Sequence, residues 1–320
     1  MSTTTIALSS YSLREELGPI AAAFTADDGT EHVFRQEFPQ RMTIGDFPLR
    51  VAARTKATAV EAVAFQFDGP EDPQIDRFAT NARRAGLELA NAAVDHGNLL
   101  GRDPARRAED VTAMKVWIAR FADVGFRRVR VNAGSPFSSD RSSRPPSHLV
   151  DALGDLGGYA ASVGARLLIE NHGGSSSDPA WIAELLGAVG ARDLGLLLDT
   201  ANFDTILMPL MEALRSPAGM EAASLDSLDL TPVYEGIGAL APHAELVHMK
   251  AHWATADGAS GPVDMSTVRG ILSANGYSGP LTLEYEGQGG DPWTIVGAII
   301  DRLTASVEVN RHRTLMSRTI

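Results

Sequence analysis

Four short runs of the sequence end in residue types that hold metals and move protons. They are "LLIENHGG" (167–174), "LGLLLDTANF" (194–203), "ELVHMKAHW" (245–253) and "LTLEYEGQGG" (281–290). Each is an aliphatic stretch that breaks into a carboxylate or an imidazole. The residues are Glu170 with His172, Asp199 with Asn202, His248 with Lys250 and His252, and Glu284 with Glu286. One acid at the end of a buried strand is an ordinary turn or helix-cap residue. The recurrence on four successive runs is what points to a site. Glu170, Asp199, His248 and Glu284 amount to three carboxylates and one imidazole. That hard, oxygen-rich donor set suits Mn²⁺, Mg²⁺ or Co²⁺ and admits Zn²⁺ or Fe²⁺. Without a cation, three carboxylates held together would repel and some would take up protons. The sequence has no cysteine, so thiolate ligands and disulfides are excluded.

The elements that must position these residues alternate along the chain. Candidate strands are Thr5–Ser9, Val60–Phe67, Leu87–Ala92, Arg127–Val131, Arg166–Glu170, Gly195–Asp199, Glu245–Lys250 and Pro280–Glu284. Amphipathic helical patterns lie between them. Several helices open on Asp-Pro, at Asp72, Asp103, Asp178 and Asp291, with Asp46-Phe47-Pro48 as a variant. Aspartate caps the free N–H groups of a helix start, and proline is tolerated in the first turn. Gly86, Gly125, Gly164 and Gly276 stand where helices stop ahead of the next strand.

Eight strand–helix units with no break in composition predict an α/β fold, a single-domain (β/α)8 TIM barrel with long loops at the strand C-terminal face. A doubly wound sheet is the alternative, and against it no G-x-G-x-x-G loop follows the first strand. A barrel gathers consecutive strand C-termini around one mouth, so Glu170, Asp199, His248 and Glu284 are expected to be neighbours. Ser10 to Gly45 and Phe203 to Ala241 fall outside the repeat and are expected to shape or cover that mouth. Residues 1–308 are read as the barrel, and 309–320 as a poorly ordered C-terminal tail.

At these same residues the chain resembles a known superfamily, the xylose-isomerase-like TIM barrels of the sugar phosphate isomerase/epimerase group. "IENHGG", "LLLDTANF", "VHMKAHW" and "GYSGPLTLEYEG" carry the resemblance, which extends over nearly the whole chain. It implies one divalent metal, Mn²⁺ before Mg²⁺, Co²⁺ or Zn²⁺, on Glu170, Asp199, His248 and Glu284. It also implies that Glu170 and Glu284 transfer protons on opposite faces of the substrate. Two positions depart from the ketose 3-epimerase pattern. Asn202 stands where those enzymes often have histidine, and Glu284-Tyr285-Glu286 where they tend to have Glu-Pro. In this the chain looks more like a broader group that also resembles the catalytic α-subunits of C-glycoside deglycosidases, which act with a small β-subunit.

The expected activity is that of a metal-dependent sugar isomerase or epimerase. It would act on a keto sugar or related polyol, abstracting a proton next to a carbonyl through a metal-stabilised enediolate. The alternative is a lyase-type deglycosidase, in which the same first step expels an aglycone from a 3-keto glycoside. His172 is the further candidate acid or base, and Lys250 a cation for a hydroxyl or developing oxyanion. Asn202, His252 and Glu286 are the substrate-binding candidates. A metal nuclease resembling endonuclease IV would cluster three metals on many more histidines than this mouth offers. A non-catalytic sugar-binding protein is the fourth reading. His243 and Asp257 read as loop residues, and His32, His96, His148 and His312 receive no role.

Composition trims the partners. A formal charge of −12 argues against a nucleic-acid surface. No apolar run approaches the roughly 18 residues of a membrane span, and the N-terminus lacks a signal-peptide pattern. A cytoplasmic protein is expected, with a sugar or glycoside substrate and no membrane partner. It would be a homo-oligomer, or a hetero-oligomer with a small β-subunit on the deglycosidase reading.

Overall fold

The structure, a computed structural model, describes residues 4–135, 141–215 and 225–317. The first part of the chain holds β1 (Ile6–Ser9), β2 (Ile20–Thr25), β3 (Glu31–Gln36), α1 (Phe47–Arg54), β4 (Ala59–Val63), α2 (Gln74–Arg84), β5 (Glu88–Val94) and α3 (Pro104–Asp123). The middle holds β6 (Arg128–Val131), α4 (Ser147–Ser162), β7 (Arg166–Glu170), α5 (Pro179–Val189), β8 (Gly195–Asp199), α6 (Asp204–Arg215) and α7 (Thr231–Leu240). The last part holds β9 (Ala244–Ala251), β10 (Trp253–Ala254), β11 (Ser260–Gly261), α8 (Met265–Ala274), β12 (Leu281–Tyr285) and α9 (Pro292–Ser317). Eight strands close into a parallel barrel in the order β1-β4-β5-β6-β7-β8-β9-β12. The (β/α)8 expectation holds.

Strand alternation sorts the side chains. Leu167 and Ile169, Leu196 and Leu198, Val247 and Met249, and Leu281 and Leu283 join the main core with residues from the surrounding helices. The alternate positions face the barrel axis. Ala7, Ala59, Ala90, Leu168, Leu197 and Leu246 form a separate buried cluster that plugs the barrel. Further along the barrel strands the inward positions hold Glu61, Arg130, Glu170, Asp199, His248 and Glu284, all buried. The plug keeps one end dry; the polar layer lies toward the strand C-termini, where TIM barrels build sites.

The helix starts follow the Asp-Pro reading with one difference. Asp103 accepts from Ala105 N (2.8 Å), Asp178 from Ala180 N (2.9 Å), and Asp72 from Gln74 N (2.8 Å). Asp291 accepts from Thr294 N (3.0 Å). Asp46 does not cap α1. Its backbone is already helical (φ −90°, ψ −11°) as the end of a 3-10 turn, and its carboxylate takes Arg77 and Thr43 instead. Gly164, with φ 81°, closes α4 in the left-handed conformation ahead of β7.

Both segments outside the repeat acquire structure. Ser10 to Gly45 contains the antiparallel hairpin β2–β3, in register from Ile20↔Gln36 to Thr25↔Glu31. Phe203 to Ala241 contains α6 and α7, with residues 216–224 outside the described residues. The helix α9 carries the chain on into the segment read as a tail. No described helix is long and apolar enough to cross a membrane.

Candidate metal centre and active site

Glu170 and Asp199 are the last residues of β7 and β8; His248 and Glu284 lie near the ends of β9 and β12. The barrel brings all four together. His248 Nδ1 stands 3.8 Å from Glu170 Oε1, 3.7 Å from Asp199 Oδ2 and 3.5 Å from Glu284 Oε2. These separations are too long for hydrogen bonds. They match donor atoms sharing one small cation, which at metal–ligand lengths of about 2.1 Å stand roughly 3 to 4 Å apart. His248 Nδ1 is buried and has no hydrogen-bond partner. Glu170, Asp199 and His248, and likewise Glu61, His248 and Glu284, offer ligand atoms all within 4.8 Å of one another. The donor set on the Nδ1 side therefore fits a divalent cation, with Glu61 on the far side of the ring at Nε2.

Three of the four are braced from behind. Asp199 Oδ1 accepts from the backbone N–H groups of Ala201 (2.7 Å) and Asn202 (3.0 Å), and Oδ2 turns toward His248 and Lys250. The Asn171 side chain locks β7 to β8, donating to Asp199 O and accepting from Asp199 N. Glu170 Oε2 meets Arg130 Nε at 2.7 Å, and Glu170 Oε1 accepts from Asn202 Nδ2 at 3.1 Å. Arg130 in turn pairs with Asp95, which also accepts from Asn132 Nδ2 at 2.7 Å. Glu61 Oε2 lies 2.9 Å from His248 Nε2.

The charges are strongly perturbed. Burial pushes the Glu170 carboxyl up to about 8, against the pull of Arg130 and His248. Burial would also raise Asp199 and Glu284, but Lys250 and His248 together outweigh it and hold both below the usual carboxylate range. Burial opposes the charged forms of His248 and Lys250. Glu61 and Glu284 win at His248, and Asp199 and Glu284 at Lys250, so both are held well above their ordinary values. Burial is the main push on Glu170, and the smaller part that comes from Asp199 and Glu284 is repulsion a divalent cation would relieve.

The remaining sequence candidates fall around this centre. Lys250 is buried, and its Nζ lies 3.1 Å from Asp199 Oδ2, 3.1 Å from Glu284 Oε2 and 2.9 Å from Glu286 Oε1. Asn202 is buried with both amide atoms engaged inside the protein, Nδ2 on Glu170 and Oδ1 on Lys250 Nζ at 3.1 Å. His252 Nε2 is 3.8 Å from Glu286 Oε2, and Glu286 is the more open of the two, its side chain 30% exposed. His172 follows β7 by two residues; its backbone N–H is held by Ser176 Oγ at 2.9 Å, and Gly173 turns the chain away with φ 82°. Burial and Arg130 push the His172 imidazole down to about 4, so the ring is neutral near pH 7.

Sequence reasoning concentrated on the second half of the barrel and missed Glu61, Asn91, Asp95 and Arg130. Glu61 and Arg130 carried a signal. Each is a charge at inward parity inside a short β-rich run, "AVEAV" and "RVRV", where a solvated position is unavailable.

A family profile described as xylose isomerase-like TIM barrel matches residues 49–305. No curated protein matches the chain significantly in sequence. Among solved structures, an L-ribulose 3-epimerase is similar with TM-score 0.66 and 16% identity, over 98% of both chains. A 3-keto-D-glucoside 4-epimerase from E. coli has TM-score 0.58 and 15% identity, over 92% of this chain and 99% of that one. A xylose isomerase-like TIM barrel protein from Mycobacterium smegmatis, in complex with magnesium, has TM-score 0.59 and 14% identity, over 96% and 97%. At these identities the likeness shows the fold.

Proposed function

The chain belongs to the xylose isomerase-like TIM barrel family, and from that premise we propose that it is a divalent-metal-dependent sugar isomerase or epimerase acting on a keto sugar. The observation that carries the proposal is the cluster of Glu170, Asp199 and Glu284 around the partnerless Nδ1 of His248. Those four residues would hold the metal, Mn²⁺ or Mg²⁺ by donor type. When bound, the cation supplies Lewis-acid charge for substrate oxygens, worth several kcal/mol.

The rest of the chemistry belongs to this chain's side chains. Glu284 is the most open of the four ligands, 7% exposed against 1% for Glu170 and 0% for Asp199 and His248. It is the carboxylate we assign to remove the proton next to the carbonyl. Glu170, fixed between Arg130 and Asn202, takes the opposite face and returns a proton there. Return to the same carbon gives an epimer, and return to the neighbouring carbon gives an isomer. Lys250 keeps its charge and stands beside Glu284, where it can balance a developing oxyanion. His172, neutral and near the same mouth, is the further acid or base. His252 and Glu286 are the outer polar groups for substrate hydroxyls, while Asn202 acts by tying Glu170 to Lys250.

The known epimerase for a 3-keto glucoside among the structural neighbours makes keto glycosides part of the substrate panel. In D₂O with Mn²⁺, the protein is expected to place deuterium at the reacting carbon of ketose or 3-keto glycoside product, and to stop on chelation. A hydride shift, shown by retention of label from substrate deuterated at that carbon, would rule the mechanism out. Release of an aglycone with the same exchange would favour the lyase alternative.

A further inference from the structure

Glu61 is a fully buried carboxylate in the middle of β4, and none of the chemistry above employs it. It reaches the centre from the other side of the barrel, separated from β9 by β1 and β12. Its Oε2 lies 2.9 Å from His248 Nε2 and accepts from Asn91 Nδ2 at 2.9 Å. All three side chains are closed to solvent. Asn91 Oδ1 and Glu61 Oε1 have no hydrogen-bond partner, so the bonding of the pair is concentrated on the oxygen nearest the imidazole.

A carboxylate in this contact accepts, so the proton of the pair sits on His248 Nε2. A cation at the centre would be met by the neutral ring, whose lone pair then falls on Nδ1. Nδ1 is the atom that faces Glu170, Asp199 and Glu284. We propose that Glu61, itself held by Asn91, is the positioning residue that fixes the tautomer and ring plane of His248, so that Nδ1 is presented to a divalent cation. This rests on the metal reading above and adds a carboxylate–histidine pair behind the centre, an arrangement that orients a metal-bound imidazole and raises its basicity.

The test combines metal binding with direct observation of the ring. Free Mn²⁺ is followed by electron paramagnetic resonance during titration of wild type, Glu61→Leu and Glu61→Gln. Glu61→Leu is expected to weaken binding by about 10- to 100-fold. Glu61→Gln keeps an oxygen that can accept the same N–H, with Asn91 Nδ2 still beside it, and should restore most of the affinity. In long-range ¹H–¹⁵N spectra of histidine-labelled, Mg²⁺-loaded wild type, the signal lost in His248→Asn should show a proton on Nε2 and none on Nδ1. Equal Mn²⁺ affinity in wild type and Glu61→Leu overturns the inference and leaves the metal reading standing. A proton on Nδ1 of His248 overturns it even if Glu61→Leu does not fold. Wild type that binds no Mn²⁺ overturns both.

Discussion

Lys250 and His172 differ in how the fold treats them, and that difference decides what their removal should do. Lys250 places its ammonium among Asp199, Glu284 and Glu286, so it neutralises ligand charge as well as facing the mouth. His172 is held uncharged by burial and by Arg130. Neither is needed to complete the four-residue donor set, so His172→Ala and Lys250→Ala should retain Mn²⁺ and fold. Each should lose at least about tenfold in kcat/KM, roughly 1.4 kcal/mol of transition-state stabilisation. Metal content by elemental analysis and turnover of the true substrate check this together. Wild-type rates in both loaded variants would show that the carboxylates work alone and that the two residues are polar rim.

At the scale of elements, legibility followed local chemistry. The bounds Arg166–Glu170 and Gly195–Asp199 are read from sequence and observed without change, because each is a compact aliphatic run stopped by an acid. The hairpin β2–β3 was not legible. "IAAAFT" is rich in alanine and "EHVFRQ" is mostly polar and mostly exposed, so neither shows a period of two with an apolar face. The convergence of Glu170, Asp199, His248 and Glu284 was legible because all four sit at or near strand ends. Its supports were not, because Glu61 and Arg130 lie mid-strand and become informative only once parity against the barrel axis is known.

The caps make a testable prediction at this scale. Asp264 starts α8 and accepts from Thr267 N at 2.7 Å and from the Ser266 and Thr267 hydroxyls. Burial would raise its pKa, but these bonds outweigh it and the carboxyl is lowered. A lowered folded value means the cap stabilises above the unfolded value of about 3.9, and the contribution fades as pH falls through the folded one. Asp264→Ala should cost about 1 kcal/mol at pH 7. Urea midpoints of the pair should converge below about pH 4. A difference that is absent at pH 7, or unchanged down to pH 3, would remove the cap from the account.

The whole molecule bears on which sugars it admits. Phosphate is usually held by arginine and lysine or by the free N–H groups of a helix start. Helices of this barrel begin on the mouth face, and six of them are already capped by a carboxylate, from Asp72, Asp103, Asp178, Asp229, Asp264 and Asp291. The buried cations near the centre are committed as well. Arg14 donates to the carbonyls of Tyr285, Glu286 and Gly287, Arg130 pairs with Asp95 and Glu170, and Lys250 meets three carboxylates. The internal stretches 136–140 and 216–224, outside the described residues, contain no lysine or arginine. A net charge of −12 adds a long-range field against a dianion, which screening by salt would weaken. An unphosphorylated keto sugar should therefore be turned over at least about tenfold more efficiently than its phosphate ester, a gap of 1.4 kcal/mol or more. Its kcat/KM should be nearly independent of ionic strength, and any activity on the ester should rise as salt screens the repulsion. Matched free and phosphorylated substrates, assayed at low and high salt, decide the matter; preference for the ester would mean that the cations described here release their carboxylates when substrate binds.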